Sequence, residues 1–149
     1  MRVNIKKLHP NAIIPTYAHE TDAGLDLTAT SYEYDNRLQN HIYGTGLAFE
    51  IPEGYVGLIF PRSSNRKTDS FMCNHVGVLD SSYRGEVMLT FKNRDNIEQG
   101  SWGDMLRPYS EGERIGQLII VPYPIIEFVE VDKLSETERG EAGHGSTGN

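Results

Sequence analysis

The chain has 149 residues, of which 21 are acidic and 14 are basic, giving a formal net charge of −7. This length suits one ordinary domain that buries its own core, so we expect a single domain over residues 1–149. The acidic balance argues against a broad basic face of the kind that binds nucleic acid. The only cysteine, Cys73, excludes an internal disulfide, and no apolar run reaches membrane-spanning length. We therefore expect a cytoplasmic protein with no nucleic-acid or membrane partner.

Alternating apolar residues and β-branched residues predict strands along most of the chain. A polar turn around Ser81–Ser82 predicts a hairpin between two of them, and residues 64–67 are the best candidate for a short helix. Long amphipathic helices are not evident, so the predicted fold class is all-β, with a sandwich or jelly roll as the architecture. The predicted strands are residues 3–8, 25–29, 47–51, 55–60, 76–79, 86–91, 115–121 and 125–131, the last two largely apolar and expected to be buried.

Two stretches fall outside the strand pattern. Residues 93–111 are polar, contain glycine, and predict a long surface excursion. Residues 135–149 are charged and then rich in glycine, a composition typical of a disordered tail.

Two segments in the middle of the chain carry side chains suited to binding a nucleoside triphosphate. Pro61-Arg62-Ser63-Ser64 follows a strand, and an arginine with serine hydroxyls can donate to phosphate oxygens. In residues 74–85, Asp80 follows an apolar strand and could act as a general base on water. Taken singly, each segment is better explained as a polar strand end or a turn.

Two later segments offer similar chemistry. Residues 112–117 lead from a turn into a strand, where Gln117 could donate to phosphate. Residues 139–148 combine Arg139, several glycines, Ser146 and Thr147, so that backbone N–H groups and hydroxyls could converge on an anion. This tail is not a Walker A loop, because no lysine precedes the Ser/Thr pair.

The order of these segments resembles that of the trimeric dUTP diphosphatases, or dUTPases. The resemblance rests on Ala23-Gly24-Leu25-Asp26-Leu27, Pro61-Arg62-Ser63-Ser64, and residues 74–85, 112–117 and 139–148. It implies a jelly-roll-like subunit, a distorted β-barrel or sandwich of the β-clip type, in a homotrimer. It also implies a Mg²⁺-bound triphosphate between subunits, with residues 135–149 of one chain as a flexible tail closing a neighbour's active site.

The resemblance assigns roles to individual residues around the base and sugar. Asp80 would be the base that activates the attacking water. Asn74 and the backbone around Val78 and Leu79 would read the uracil edge, and Tyr83 would lie under the deoxyribose and exclude a 2′-hydroxyl. Met88 would lie near the base.

The resemblance also assigns the phosphate contacts and the tail. The inner phosphates would be held by Arg62, Ser63, Ser64 and Gln117, and the outer ones by Arg139, Gly145, Ser146 and Thr147. His144 takes the place of the aromatic residue that stacks on uracil, and Ala142 stands where the family has glycine. Asp26 would be structural, or would reach the metal indirectly.

The implied activity is hydrolysis of dUTP to dUMP and pyrophosphate, with water attacking the α-phosphorus and Mg²⁺ assisting. This removes dUTP from the nucleotide pool and supplies the precursor of thymidylate. Two alternatives stay open on the sequence: a dCTP deaminase of the same superfamily, and a nucleotide-sensing regulator that signals through residues 93–111.

Overall fold

The computed structural model describes residues 1–94 and 107–142 and confirms an all-β fold. The one helical element is a short 3₁₀ helix, Ser63–Lys67, and no helix in the described ranges is long and apolar enough to cross a membrane. The strands are β1 Asn4–Lys7, β2 Leu25–Thr28, β3 Ser31–Asp35, β4 Asn40–Gly44, β5 Leu47–Glu50, β6 Tyr55–Phe60, β7 Ser70–Met72, β8 Gly77–Leu79, β9 Met88–Asn93 and β10 Arg114–Pro122.

The strands form two four-stranded antiparallel sheets and a separate β1–β5 pair. The first sheet has the order β2-β10-β6-β8, and the second has the order β3-β4-β9-β7. The buried core draws on both sheets, with Leu27 and Leu118 from the first and Tyr43 and Phe91 from the second. At Gly116 of β10, any β-carbon would collide with Leu89 of β9, so a glycine is required for the two sheets to approach closely here.

An aromatic cluster fills the centre of the second sheet and reaches the region that follows β6. The rings of Tyr43, Phe91 and Tyr109 meet edge to face, and the Tyr43 hydroxyl donates to the Tyr109 carbonyl at 2.8 Å. Burial raises the pKa of both tyrosine side chains above their ordinary value. Both phenol groups therefore stay protonated and can donate hydrogen bonds. These hydrogen bonds hold Tyr109 beside the 3₁₀ helix.

The predicted hairpin around Ser81–Ser82 is wrong. β8 pairs with β6 in the first sheet, whereas β9 pairs with β4 and β7 in the second. Residues 80–87 therefore cross from one sheet to the other. Strands β3, β4 and β7 were not predicted, because they are short and rich in polar residues, so their alternation is weak.

The prediction of a buried strand over residues 125–131 is also wrong for the single chain. These residues form no strand, and Ile125 and Phe128 are 92% and 91% exposed. β10 ends at Pro122, and Pro124 follows two residues later, so residues 122 and 124 both lack the N–H donor that a strand ladder needs. Between these two prolines, the Tyr123 N–H donates to the Gly54 carbonyl. Beyond it, an apolar segment extends into solvent.

Candidate active site

A pocket of about 220 Å³ lies where the chain crosses from β8 to β9. Six of the residues that the sequence predicted for the base, the sugar and catalysis line this pocket, and the seventh, His144, lies outside the described residues. Strand β8 places Val78 and Leu79, and the crossing that follows it places Asp80 and Tyr83. The predicted residues in the wall are Asn74, Val78, Leu79, Asp80, Tyr83 and Met88.

The two residues with the most direct chemical roles lie in one turn. The Tyr83 N–H donates to the Asp80 carbonyl at 3.1 Å, which closes the turn after β8. The Asp80 side chain is exposed, as a carboxylate that activates water must be. The Tyr83 ring is 43% exposed, and its hydroxyl donates to the Glu86 carbonyl at 3.0 Å. The turn therefore presents a carboxylate and an aromatic face to the same opening.

A second cluster is built around Asp26 on β2 and Arg62 after β6. Arg62 Nε donates to Asp26 Oδ1 at 2.7 Å, and Arg62 Nη1 donates to Ser64 Oγ at 3.2 Å. Arg114 Nη1 binds the other carboxylate oxygen at 2.9 Å. Two guanidinium groups thus share one carboxylate, which leaves the cluster with a net positive charge suited to phosphate.

Strand register explains why this cluster draws on distant parts of the chain. β10 lies between β2 and β6, and Gln117 stands opposite Asp26 on one side and Phe60 on the other. A register shift between Arg114 and Gly116 sets this alignment. Gln117 Nε2 donates to the Pro61 carbonyl at 3.3 Å, and a β-carbon at Gly24 would lie only 2.7 Å from Gln117 Oε1.

The 3₁₀ helix that carries Ser63 and Ser64 is held by contacts that the sequence did not indicate. The Asn65 N–H donates to the Arg62 carbonyl at 2.9 Å, and the Tyr109 hydroxyl donates to Asn65 Oδ1 at 2.9 Å. Tyr109 in turn is fixed by Tyr43. A chain of hydrogen bonds therefore links the aromatic core to the segment beside Arg62, although nothing in the local sequence pattern marks Asn65 or Tyr109.

The structure does not bring all predicted site residues together in one chain. Arg62, Ser63, Ser64 and Gln117 are absent from the wall of the pocket that holds Asp80. Arg139 is exposed, and its Nε donates to the carbonyl of Ala142 at 3.1 Å. The remaining tail residues, His144, Gly145, Ser146 and Thr147, lie outside the described residues.

A site for Mg²⁺ made of protein ligands alone does not fit the residues that the structure describes. Within residues 1–94 and 107–142, no three His, Cys, Asp or Glu side chains are grouped as metal ligands. The Asp26 carboxylate is the acidic group nearest the cluster, and both its oxygens accept from arginines. Mg²⁺ commonly takes most of its six oxygens from phosphates and water, and a triphosphate offers such ligands.

Comparison with known proteins agrees with the resemblance. A family model described as dUTPase matches residues 10–148. A deoxyuridine 5'-triphosphate nucleotidohydrolase of Nocardia farcinica is 39% identical over 98% of this chain and 85% of its own length. Among solved structures, the Staphylococcus bacteriophage 80alpha dUTPase with dUPNHPP has a TM-score of 0.79 and 30% identity, covering 99% of each chain. This chain belongs to the dUTPase family.

Two of the solved relatives, both from bacteriophages, have further described properties. The work on the 80alpha protein describes phage dUTPases that control transfer of virulence genes by a G protein-like mechanism. A D95N mutant of the dUTPase from phage phi11 of Staphylococcus aureus coordinates a structural Mg(II) ion. That structure has a TM-score of 0.72 and 28% identity, and it covers 89% of this chain and 98% of its own.

Proposed function

We propose that this chain hydrolyses dUTP to dUMP and pyrophosphate. One observation carries the proposal: in a member of the dUTPase family, six residues predicted to recognise the nucleoside or to activate water line a single pocket. The pocket is small, and aromatic and aliphatic side chains line it beside two carboxylates, Asp80 and Glu86. This environment suits a pyrimidine nucleoside whose α-phosphate faces a water-activating group.

In this proposal the pocket residues divide the work of recognition and chemistry. Asp80 accepts a proton from the attacking water as it approaches the α-phosphorus. Asn74 and the backbone at Val78 and Leu79 read the uracil edge, where N3 donates a hydrogen. Tyr83 lies under the deoxyribose, and Met88 packs near the base.

The arginine cluster is proposed to hold the inner phosphates. The hydrogen-bond donors come from Arg62, Ser63, Ser64 and Gln117. The net positive charge of the cluster attracts the negatively charged triphosphate. Asp26 is proposed to be structural, because it fixes the fork of Arg62 before substrate arrives. Preorganised donors of this kind stabilise charge as it develops on the phosphorus.

We propose a homotrimer whose active site lies between subunits. The separation of the Asp80 pocket from the Arg62 cluster supports this, since a single triphosphate must meet both. The exposed apolar segment 125–131 supports it too, because a subunit interface would remove Ile125 and Phe128 from water. Residues 1–149 are proposed to form one domain. The lone Cys73, which forms no disulfide, supports a reducing cytoplasm as the compartment.

The tail is proposed to close over substrate bound by neighbouring subunits. Arg139, Gly145, Ser146 and Thr147 contact the outer phosphates, and His144 stacks on uracil through its imidazole face. The described part, residues 135–142, is exposed and its hydrogen bonds are local, which suits a segment that folds over a ligand.

Mg²⁺ is the proposed cofactor, held mainly by the substrate phosphates and water. When bound, it neutralises phosphate charge and helps align the triphosphate for in-line attack. Asp26 is the candidate for indirect contact through water, and the structural Mg(II) ion of the phi11 relative supports the choice of this metal.

The experiment is an assay of the purified chain with dUTP, dCTP, dTTP and UTP, following dUMP, pyrophosphate and ammonia. The proposal predicts dUMP and pyrophosphate from dUTP and little turnover of the other three. Ammonia released from dCTP would instead support the deaminase alternative. No turnover of dUTP with excess Mg²⁺ would contradict the proposal.

A second candidate function is nucleotide-dependent regulation, favoured by the likeness to a phage protein described as a regulator of gene transfer. The predicted signalling excursion, residues 93–111, lies largely outside the described residues. Replacing residues 95–106 with a short glycine-serine linker should leave dUTP hydrolysis intact in either case. Regulation would be supported if a partner binds the intact protein only in the presence of dUTP and does not bind the linker variant. If the partner still binds the linker variant, a role for the loop would be contradicted.

A further inference from the structure

The position of the Tyr83 ring depends on the two residues that precede Val87. The Tyr83 hydroxyl donates to the Glu86 carbonyl at 3.0 Å, so the ring lies across the turn. A β-carbon at Gly85 would collide with the ring and its hydroxyl. The ring therefore needs a glycine beneath it and a fixed carbonyl at its tip.

The Glu86 side chain ties this turn to the buried connection between β4 and β5. Glu86 Oε1 accepts from the Gly46 N–H at 2.7 Å. Gly44 leaves the room for this carboxylate, because a β-carbon at residue 44 would meet Glu86 Oε1 and the Ser31 hydroxyl. The acceptor is charged and half-buried, so its hydrogen bond is stronger than a neutral one.

The main chain next to Glu86 is fixed on the same support. Val87 is buried, its carbonyl accepts from Thr45 Oγ1 at 2.7 Å, and its N–H donates to the Leu47 carbonyl at 2.9 Å. Thr45 is itself fully buried. By contrast, Ser82, Tyr83 and Arg84 are exposed. The exposed turn is thus attached to a buried base immediately after Gly85.

We propose that Glu86 is a positioning residue that determines sugar specificity by holding Tyr83 in place. Its carboxylate anchors the turn on Gly46, and its carbonyl anchors the tip of the ring. With either anchor loosened, the ring moves away from the sugar and space for a 2′-hydroxyl opens. This inference rests on the proposed function, because it assumes that Tyr83 faces the deoxyribose.

The test compares kcat/KM for dUTP and UTP in four variants, together with thermal stability. Glu86→Ala and Glu86→Asp remove or shorten the anchor, and the dUTP/UTP ratio should fall about tenfold, the worth of a charge-assisted hydrogen bond. Glu86→Gln keeps an acceptor oxygen in place and should stay within about threefold of wild type. Thr45→Val removes the hydroxyl that donates to the Val87 carbonyl and accepts from the Leu47 N–H, so it should lower stability without changing the ratio.

Two outcomes would overturn the proposal. One is an unchanged dUTP/UTP ratio in both Glu86→Ala and Glu86→Asp, and the other is an equal loss of selectivity in Thr45→Val. Should Glu86→Ala fail to fold, Gly85→Ala displaces the ring without touching the carboxylate, and it should also admit UTP. Binding of dUpNHpp against UpNHpp by calorimetry separates the two claims, since it reports sugar selectivity even if the wild-type chain does not hydrolyse dUTP.

Discussion

Asp26 and Arg62 form an ion pair in which Nε and Oδ1 are 2.7 Å apart, and both side chains are only 23% exposed. Arg114, which binds the same carboxylate, is 55% exposed. The less exposed pair is screened less by water, so it fixes the direction of the Arg62 fork more firmly than Arg114 does. This difference leads to a matched pair of variants.

Asp26→Ala should destabilise the protein by about 1 to 3 kcal/mol, because it leaves a partly buried guanidinium without its charged partner. It should also raise the KM for dUTP. Arg114→Ala should cost less than about 1 kcal/mol, since this pair is exposed. Urea unfolding and steady-state kinetics on both variants check the prediction. Equal losses in the two would show that Arg62 is not the arginine that depends on Asp26.

Asp80→Asn should preserve the shape of the side chain and remove its basicity. Turnover of dUTP should fall by roughly 10²- to 10⁴-fold, which is the usual contribution of a positioned general base. Binding of dUpNHpp, measured by calorimetry, should change little. Normal turnover in the Asn variant would remove Asp80 from the catalytic role.

Tyr83→Ala should relax the rejection of UTP, because the ring that is proposed to exclude the 2′-hydroxyl is gone. The ring is 43% exposed, so its loss should have little effect on stability. The ratio of kcat/KM for dUTP and UTP is the measurement. Tyr83→Phe keeps the ring and loses only the hydroxyl bond to Glu86, so it should relax the selectivity less than Tyr83→Ala does.

Deleting residues 139–149 should leave folding and trimerisation intact, because this segment has little apolar area to bury. Activity should nevertheless collapse, since the donors over the outer phosphates are lost. Light scattering and kinetics with excess Mg²⁺ check both parts. A truncated trimer with full activity would contradict the shared site.

Within the tail, His144→Ala should lower kcat/KM about tenfold and His144→Phe should restore it, as expected for stacking on the base.

The sequence was most informative where the predicted site residues lie close together along the chain. Residues 74–85 contain Asn74, Asp80 and Tyr83 in one segment, and the fold places all three around one pocket. The apolar run of β10 likewise predicted its strand, because continuous apolar residues are typical of a strand covered on both faces.

The sequence was least informative where position depends on register or on partners far along the chain. The alignment of Gln117 with Asp26 and Phe60 follows a shift in β10 that no local pattern marks. The support of the 3₁₀ helix by Tyr109 joins residues 44 positions apart. The apolar segment 125–131 was predicted as a buried strand because apolar content indicates burial, but it does not say which chain provides the cover.

Hydrolysis of dUTP in water enriched in ¹⁸O tests the central claim most directly. With the wild-type chain and excess Mg²⁺, mass spectrometry of the products should find one ¹⁸O atom in dUMP and none in pyrophosphate, because water attacks the α-phosphorus. Isotope in pyrophosphate would place the attack on the β-phosphorus, and release of dUDP with inorganic phosphate would place it on the γ-phosphorus. Either result, or the absence of turnover, would contradict the account.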